Sequence, residues 1–127
     1  MTGTQPGVDE VHVLWARFDQ PVWGVLPIDE WLSPDERERA ARLKVPDVAH
    51  RFRSGRALLR GLLGTYLALP PDSLRFRYNH HGKPALDGQN GPDGLCFNLS
   101  HSGDLLVVAL GRGREIGVDV EQVRAVV

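Results

Sequence analysis

Apolar residues alternate with other types over Val11-His12-Val13-Leu14-Trp15-Ala16-Arg17-Phe18, which predicts a strand with Val11, Val13 and Trp15 on one face. A loop containing Pro21 and Pro27 follows. Ser33-Pro34-Asp35-Glu36 has the order of a helix start, with Ser33 as N-cap, Pro34 in the first turn and Glu36 closing a capping box. That helix should run to about Leu43. Pro46-Asp47 opens a second, longer helix, whose apolar stripe is Leu58, Leu59, Leu62, Leu63, Tyr66 and Leu67. Pro70-Pro71 should end it near Leu69.

The pattern then switches to period two. Leu74-Arg75-Phe76-Arg77-Tyr78 predicts a strand, His81-Gly82-Lys83-Pro84 a turn, and Asp87 to Gly94 a loop. Three more short strands are expected at Cys96 to Ser100, Leu105 to Leu110 and Ile116 to Glu121, the last two joined by a hairpin through Gly111-Arg112-Gly113-Arg114. Leu105-Leu106-Val107-Val108-Ala109-Leu110 is apolar on both faces and needs cover on both. Strand, two helices, then strands is an α+β order, with a small, mostly antiparallel sheet packed with two helices.

Composition narrows this little. The chain has 127 residues, 42% hydrophobic and 24% charged, with a formal net charge of -1, so global charge selects no partner. One cysteine, Cys96, excludes an internal disulfide and fits a reducing compartment; in Leu95-Cys96-Phe97 it reads as a buried structural thiol. No apolar run is long enough for a membrane span, and the N-terminus lacks a signal-peptide core. The expectation is a cytoplasmic protein with a disordered tail over residues 1–10 and one folded region over 11–127.

Four stretches could carry chemistry. Between Arg37 and Arg60 lie eight of the chain's 15 Lys and Arg residues: Arg37, Arg39, Arg42, Lys44, Arg51, Arg53, Arg56 and Arg60. Guanidinium forks suit phosphate, but the same residues could be a solvated face paired with Glu36, Glu38 and Asp47. A nucleic acid is a competing candidate, but the expectation is that no aromatic residues interleave the arginines as a single-strand platform would need. In Tyr78-Asn79-His80-His81-Gly82-Lys83-Pro84, Gly82 allows close backbone approach and Lys83 can reach a phosphate; the bland alternative is a plain turn. Adjacent histidines should diverge, and their spacing to Cys96 or His101 matches no zinc pattern.

In Phe97-Asn98-Leu99-Ser100-His101-Ser102, neighbours on a strand face opposite ways, so Ser100 and His101 cannot be a nucleophile and its base. Asn98, Ser100 and Ser102 could share a polar face, either for an anion or for turn backbone groups. In Ile116-Gly117-Val118-Asp119-Val120-Glu121, alternation sets Asp119 and Glu121 side by side. Two acids held together suit a sparse magnesium site, although an isolated D-x-E is more often a solvated edge.

In their order and spacing these segments resemble the 4'-phosphopantetheinyl transferases, in particular the N-terminal half of the larger, surfactin-synthetase-activating type. The resemblance runs from about Val11 to Arg124. It implies one subdomain of a pseudo-twofold α+β fold that binds coenzyme A in the cleft between halves. It implies a magnesium-dependent transfer of 4'-phosphopantetheine to a serine of an acyl or peptidyl carrier protein, in polyketide or nonribosomal peptide biosynthesis. Residue by residue, it assigns Asp119 and Glu121 to the metal, Ser100 and His101 to the coenzyme's phosphates, and Gly82, Lys83 and Pro84 to the loop on the adenine. Arg39, Arg51 and Arg56 match basic positions near the 3'-phosphate. Asp119, Glu121 and His101 are the catalytic set.

The family's second half carries a W-x-x-K-E segment, and none of Trp15, Trp23 and Trp31 begins one. The expectation is therefore an N-terminal subdomain without its C-terminal partner, with an apolar surface for that half or for self-association. The alternatives are a non-catalytic coenzyme A or phosphate-binding module and a nucleic-acid-binding domain; no membrane partner is expected. The purified 127-residue chain should bind coenzyme A weakly and modify carrier proteins little or not at all. A mass-spectrometric assay showing robust conversion of apo to holo carrier protein would overturn that expectation.

Overall fold

The structure is a computed structural model and describes residues 6, 7, 9–88 and 94–113. It divides into two compact units: Phe18–Arg75, and Pro6–Arg17 together with the chain from Phe76 onward. The fold is α+β, consistent with a single subdomain of the family resembled. Helices lie in the first unit and paired strands in the second.

In the first unit the expected loop around Pro21 and Pro27 holds a 3-10 turn, Pro21–Gly24, and a four-residue helix α1, Ile28–Trp31. Periodicity could not show so short a helix. The next helix, α2 (Pro34–Arg42), starts as expected: Ser33 Oγ accepts from the Glu36 amide at 3.2 Å, and Glu36 Oε1 accepts from the Ser33 amide at 2.9 Å. The long helix α3 spans Pro46–Leu67. Leu59 and Leu63 of its apolar stripe are fully buried, each worth roughly 1.5–3 kcal/mol of transfer free energy. Leu58, Leu62, Tyr66 and Leu67 are half-buried.

Two polar residues are buried on the same helix. Ser54 meets His50 Nδ1 at 3.4 Å, while His50 Nε2–H donates to the Phe18 carbonyl at 3.2 Å. Arg60, 2% exposed, donates to Glu36 Oε1 at 2.7 Å, to the Leu74 carbonyl at 2.8 Å and to the Pro71 carbonyl at 3.0 Å. Glu36 therefore caps α2 and anchors α3, and Arg60 fixes the segment that follows α3.

That helix ends before the prolines, not at them. Ala68 adopts the left-handed conformation, φ 56°, and the Leu69 amide donates back to the Gly64 carbonyl at 2.9 Å. Gly64 is required here, since a Cβ would stand 2.6 Å from the Leu69 carbonyl oxygen. A 3-10 turn, Pro71–Ser73, then leads out of the helix.

The second unit contains a three-stranded antiparallel sheet in the order β1 (His12–Arg17), β5 (Leu105–Arg112), β4 (Leu95–Ser102). Its central strand is the doubly apolar one, and Leu106, Val108 and Leu110 are buried on one face with Ala109 on the other. The hairpin falls at Gly103–Asp104, between paired Ser102 and Leu105. Gly111 and Arg112, expected to turn, instead continue β5 and pair with Cys96 and Leu95. The hairpin partner expected at 116–121 lies outside the described residues.

The strand expected over Leu74–Tyr78 is shortened to β2 (Phe76–Tyr78), because Leu74 is taken up by its carbonyl bond to Arg60. It pairs with β3 (Pro84–Leu86), a strand that the turn-forming Pro84 concealed. Of the tail expected over 1–10, residues 1–5 and 8 lie outside the described residues; the Pro6 carbonyl accepts from Arg112 Nε at 3.1 Å and the Gly7 amide donates to Glu10 Oε1 at 2.7 Å. Val11, Val13 and Trp15 do share one face, and it is exposed: Val13 by 59% and Trp15 by 70%, on an edge strand among the described residues. Among those residues no helix is long and apolar enough to cross a membrane.

Glu36→Ala leaves the Arg60 guanidinium buried without its carboxylate. It is expected to cost roughly 3–5 kcal/mol in urea-unfolding experiments. A loss below about 1 kcal/mol would show that the pair does not hold the helices together.

Candidate functional site

The basic helical region is largely consumed by internal partners. Arg37 donates to the Asp29 carbonyl at 3.3 Å, Arg42 pairs with Glu38, and Arg53 grips Asp29 Oδ1 through Nε at 3.1 Å and Nη2 at 2.6 Å. Arg56 lies 3.6 Å from Glu36 Oε2 with its side chain only 9% exposed. The surface-pairing alternative thus accounts for much of this cluster.

What remains is organised by Phe52. The Arg39 guanidinium lies 4.9 Å from its ring centroid and that of Arg56 5.4 Å. Phe52 stands between Arg51 and Arg53 in sequence, so an aromatic does interleave the arginines, contrary to expectation. Its spacing of four to Arg56 on one helix was the available signal. Arg39 is exposed, while Arg51 and Arg56 are both half-buried.

In the second unit, the β2–β3 hairpin and β4 enclose a cleft of about 430 Å³. Tyr78, Lys83, Pro84, Leu86, Cys96 and Phe97 are among its lining residues. Arg77 and Asn79 also line it, and the lining Phe97 packs its ring edge to face on Phe76 at 5.9 Å. Cys96, expected as a buried thiol, is half-buried and lines this cleft, because alternation gives the buried positions to Leu95 and Phe97.

Asn79 governs the loop above the cleft. Its Oδ1 accepts from the amides of His81 and Lys83, both at 2.9 Å. Its own amide donates to the Lys83 carbonyl at 3.1 Å, and its carbonyl accepts from the Gly82 amide at 2.9 Å. Gly82 sits at φ 80°, a conformation that costs other residues about 1–2 kcal/mol. Lys83 and Pro84 therefore line the cleft, with Gly82 in the turn that leads to them. The His80 and His81 rings do not diverge as expected; in the tight loop their centroids lie 3.8 Å apart, with the rings tilted by 44°.

Ser100 and His101 lie further along β4. The register puts Ser100 opposite Val107, on the face of Asn98 and Ser102, and puts His101 opposite Leu106 on the other face. Ser100 is half-buried and His101 exposed. They do not meet, which agrees with the argument against a Ser–His nucleophile pair. Asp119 and Glu121 lie outside the described residues. Among the described residues no three His, Cys, Asp or Glu side chains gather as a metal site.

Comparison with known proteins bears on what this arrangement is for. Residues 25–112 match the family described as "4'-phosphopantetheinyl transferase, N-terminal". The chain is 41% identical over 116 residues to the 4'-phosphopantetheinyl transferase HetI of Nostoc sp., covering 91% of this chain and 49% of that protein. It is 31% identical over 96 residues to the 4'-phosphopantetheinyl transferase Sfp of Bacillus subtilis, covering 76% and 41%. Against the L-aminoadipate-semialdehyde dehydrogenase-phosphopantetheinyl transferase of Xenopus laevis it is 32% identical over 99 residues, covering 72% and 33%. The chain spans half or less of the length of these relatives.

The two arginines at Phe52 should separate on substitution. Arg56→Ala is expected to lower stability by roughly 1–3 kcal/mol, since it strips Glu36 of a buried partner. Arg39→Ala should cost less than about 1 kcal/mol, the value of an exposed cation–π contact. Equal losses in urea unfolding would contradict the division of the cluster into structural and available cations.

Proposed function

The chain belongs to the 4'-phosphopantetheinyl transferase family, and on that premise we propose that its protein transfers 4'-phosphopantetheine from coenzyme A to a carrier-protein serine. The observation that carries this reading is the cleft lined by Lys83 and Pro84, inside the region that matches the family. Its lining Tyr78 and Phe97 rings suit a planar heterocycle, and Lys83, which with Arg77 supplies the lining cations, suits a phosphate.

In the proposed reaction the carrier's serine hydroxyl attacks the β-phosphorus of coenzyme A. A new P–O bond forms, the pyrophosphate P–O bond breaks, and adenosine 3',5'-bisphosphate leaves while the serine proton is taken up by a base. Lys83 holds and orients the nucleotide end at the cleft. His101, and Ser100 on the opposite face of β4, carry the phosphate contacts that the family resemblance assigns. Asp119 and Glu121 would hold a magnesium ion, which neutralises charge on the pyrophosphate. Arg39 and Arg51 are the helical cations we assign to the 3'-phosphate, with Arg56 secondary because Glu36 and Phe52 engage it.

The same proposal includes an acyl or peptidyl carrier protein as partner, a polyketide or nonribosomal peptide setting, and a cytoplasmic one suited to the single thiol Cys96. Nucleic acid and membrane have no part in it. The exposed Val11, Val13 and Trp15 row is where a C-terminal half, or in its absence a second copy, would cover apolar surface.

Calorimetry of coenzyme A binding with and without magnesium tests this reading. Magnesium is expected to tighten binding by about tenfold, and Asp119→Asn with Glu121→Gln should abolish the gain. Binding indifferent to magnesium would remove the metal assignment and leave a simple anion-binding module.

A further inference from the structure

We propose that Asn79 is a positioning residue, which acts by fixing the backbone that presents Lys83 to the cleft. This deepens the reading above and rests on it.

The five residues between Tyr78 and Pro84 bridge two strands of only three residues each. Such short strands give their connecting loop little support. The loop is ordered from within, by one side chain. Asn79 Oδ1 takes both the His81 and Lys83 amides, and the Asn79 backbone takes the Lys83 carbonyl and the Gly82 amide. Four hydrogen bonds thus converge on one residue, and two of them end on Lys83 itself.

A carbonyl oxygen with two acceptor sites is what two convergent amides need, so an asparagine or aspartate meets this demand and an alanine does not. The side chain reaches back over the turn as in an Asx turn, extended by a second amide. Gly82 at φ 80° completes the geometry by letting the chain reverse before Lys83. Without the Asn79 carbonyl the loop keeps only its backbone bonds. The Lys83 ammonium then samples many positions, and the entropy of fixing it falls on ligand binding. Asn79 also lines the cleft, and combining its substitution with Lys83→Ala separates an effect exerted through Lys83 from a direct contact with the ligand.

The test uses the whole chain and two readouts. Hydrogen exchange at the His81 and Lys83 amides should speed up at least tenfold in Asn79→Ala and stay near wild type in Asn79→Asp, which keeps the acceptor oxygen. Calorimetry should show coenzyme A binding about tenfold weaker in Asn79→Ala, with no further loss when that change is added to Lys83→Ala. Losses that add independently, or exchange that Asn79→Ala leaves unchanged, would overturn the proposal. Wild-type protein that binds no coenzyme A would sink the reading of the cleft instead. The exchange measurement would then still decide whether Asn79 holds the Lys83 backbone.

Discussion

Glu36 sits at the junction on which the helical unit depends. One carboxylate oxygen closes the capping box of α2 by accepting from the Ser33 amide and also takes Arg60 Nε from α3. Arg60 in turn donates to the carbonyls of Pro71 and Leu74, at the exit from α3. Burying an acid and a guanidinium together is costly, and the cost is offset only when donors and acceptors on both are used. Here a charge-assisted network links the start of α2, the middle of α3 and the segment leading toward β2. Its demand also explains why an arginine-rich region in a chain of near-zero net charge is not simply a ligand surface: Arg56 and Arg60 are committed to Glu36.

The strand unit obeys a different constraint. A strand apolar on both faces must be central, and β5 is, with β1 and β4 on its two sides. That placement leaves β4 to carry Asn98, Ser100 and Ser102 along one face, and it sets the apolar row of β1 on an exposed edge. Beside β4 the small β2–β3 hairpin closes the cleft, and the Asn79 bonds fix the backbone of Lys83, which lines it with Pro84. Packing thus sets the walls of the cleft, and local hydrogen bonding sets the group that charges it.

Much of this was legible in the chain. The capping box at Ser33 and Glu36 is a local signal with a local cause, and both were read from four residues. The opposed faces of Ser100 and His101 followed from strand geometry alone. Other features depend on contacts distant in sequence. Arg60 reads as surface until its partner 24 positions away is known. The stop at Ala68 depends on Gly64 meeting the Leu69 carbonyl, and the prolines two residues later were mistaken for its cause. Period-two alternation grouped Val11, Val13 and Trp15 but could not say which side of β1 would be covered. The role of Asn79 was hidden by its more conspicuous neighbours, the paired histidines and Gly82-Lys83-Pro84. Asp119 and Glu121 stay with the sequence reading, since they lie outside the described residues.

The central claim is that the cleft beside β4 is where the coenzyme's nucleotide end binds. Titration of the isotope-labelled chain with coenzyme A, followed by amide NMR, tests it most directly. The account predicts that the largest shift changes cluster at Asn79 to Pro84 and at Cys96 to Ser100. Changes confined to other surfaces, with those residues unmoved at saturation, would contradict it.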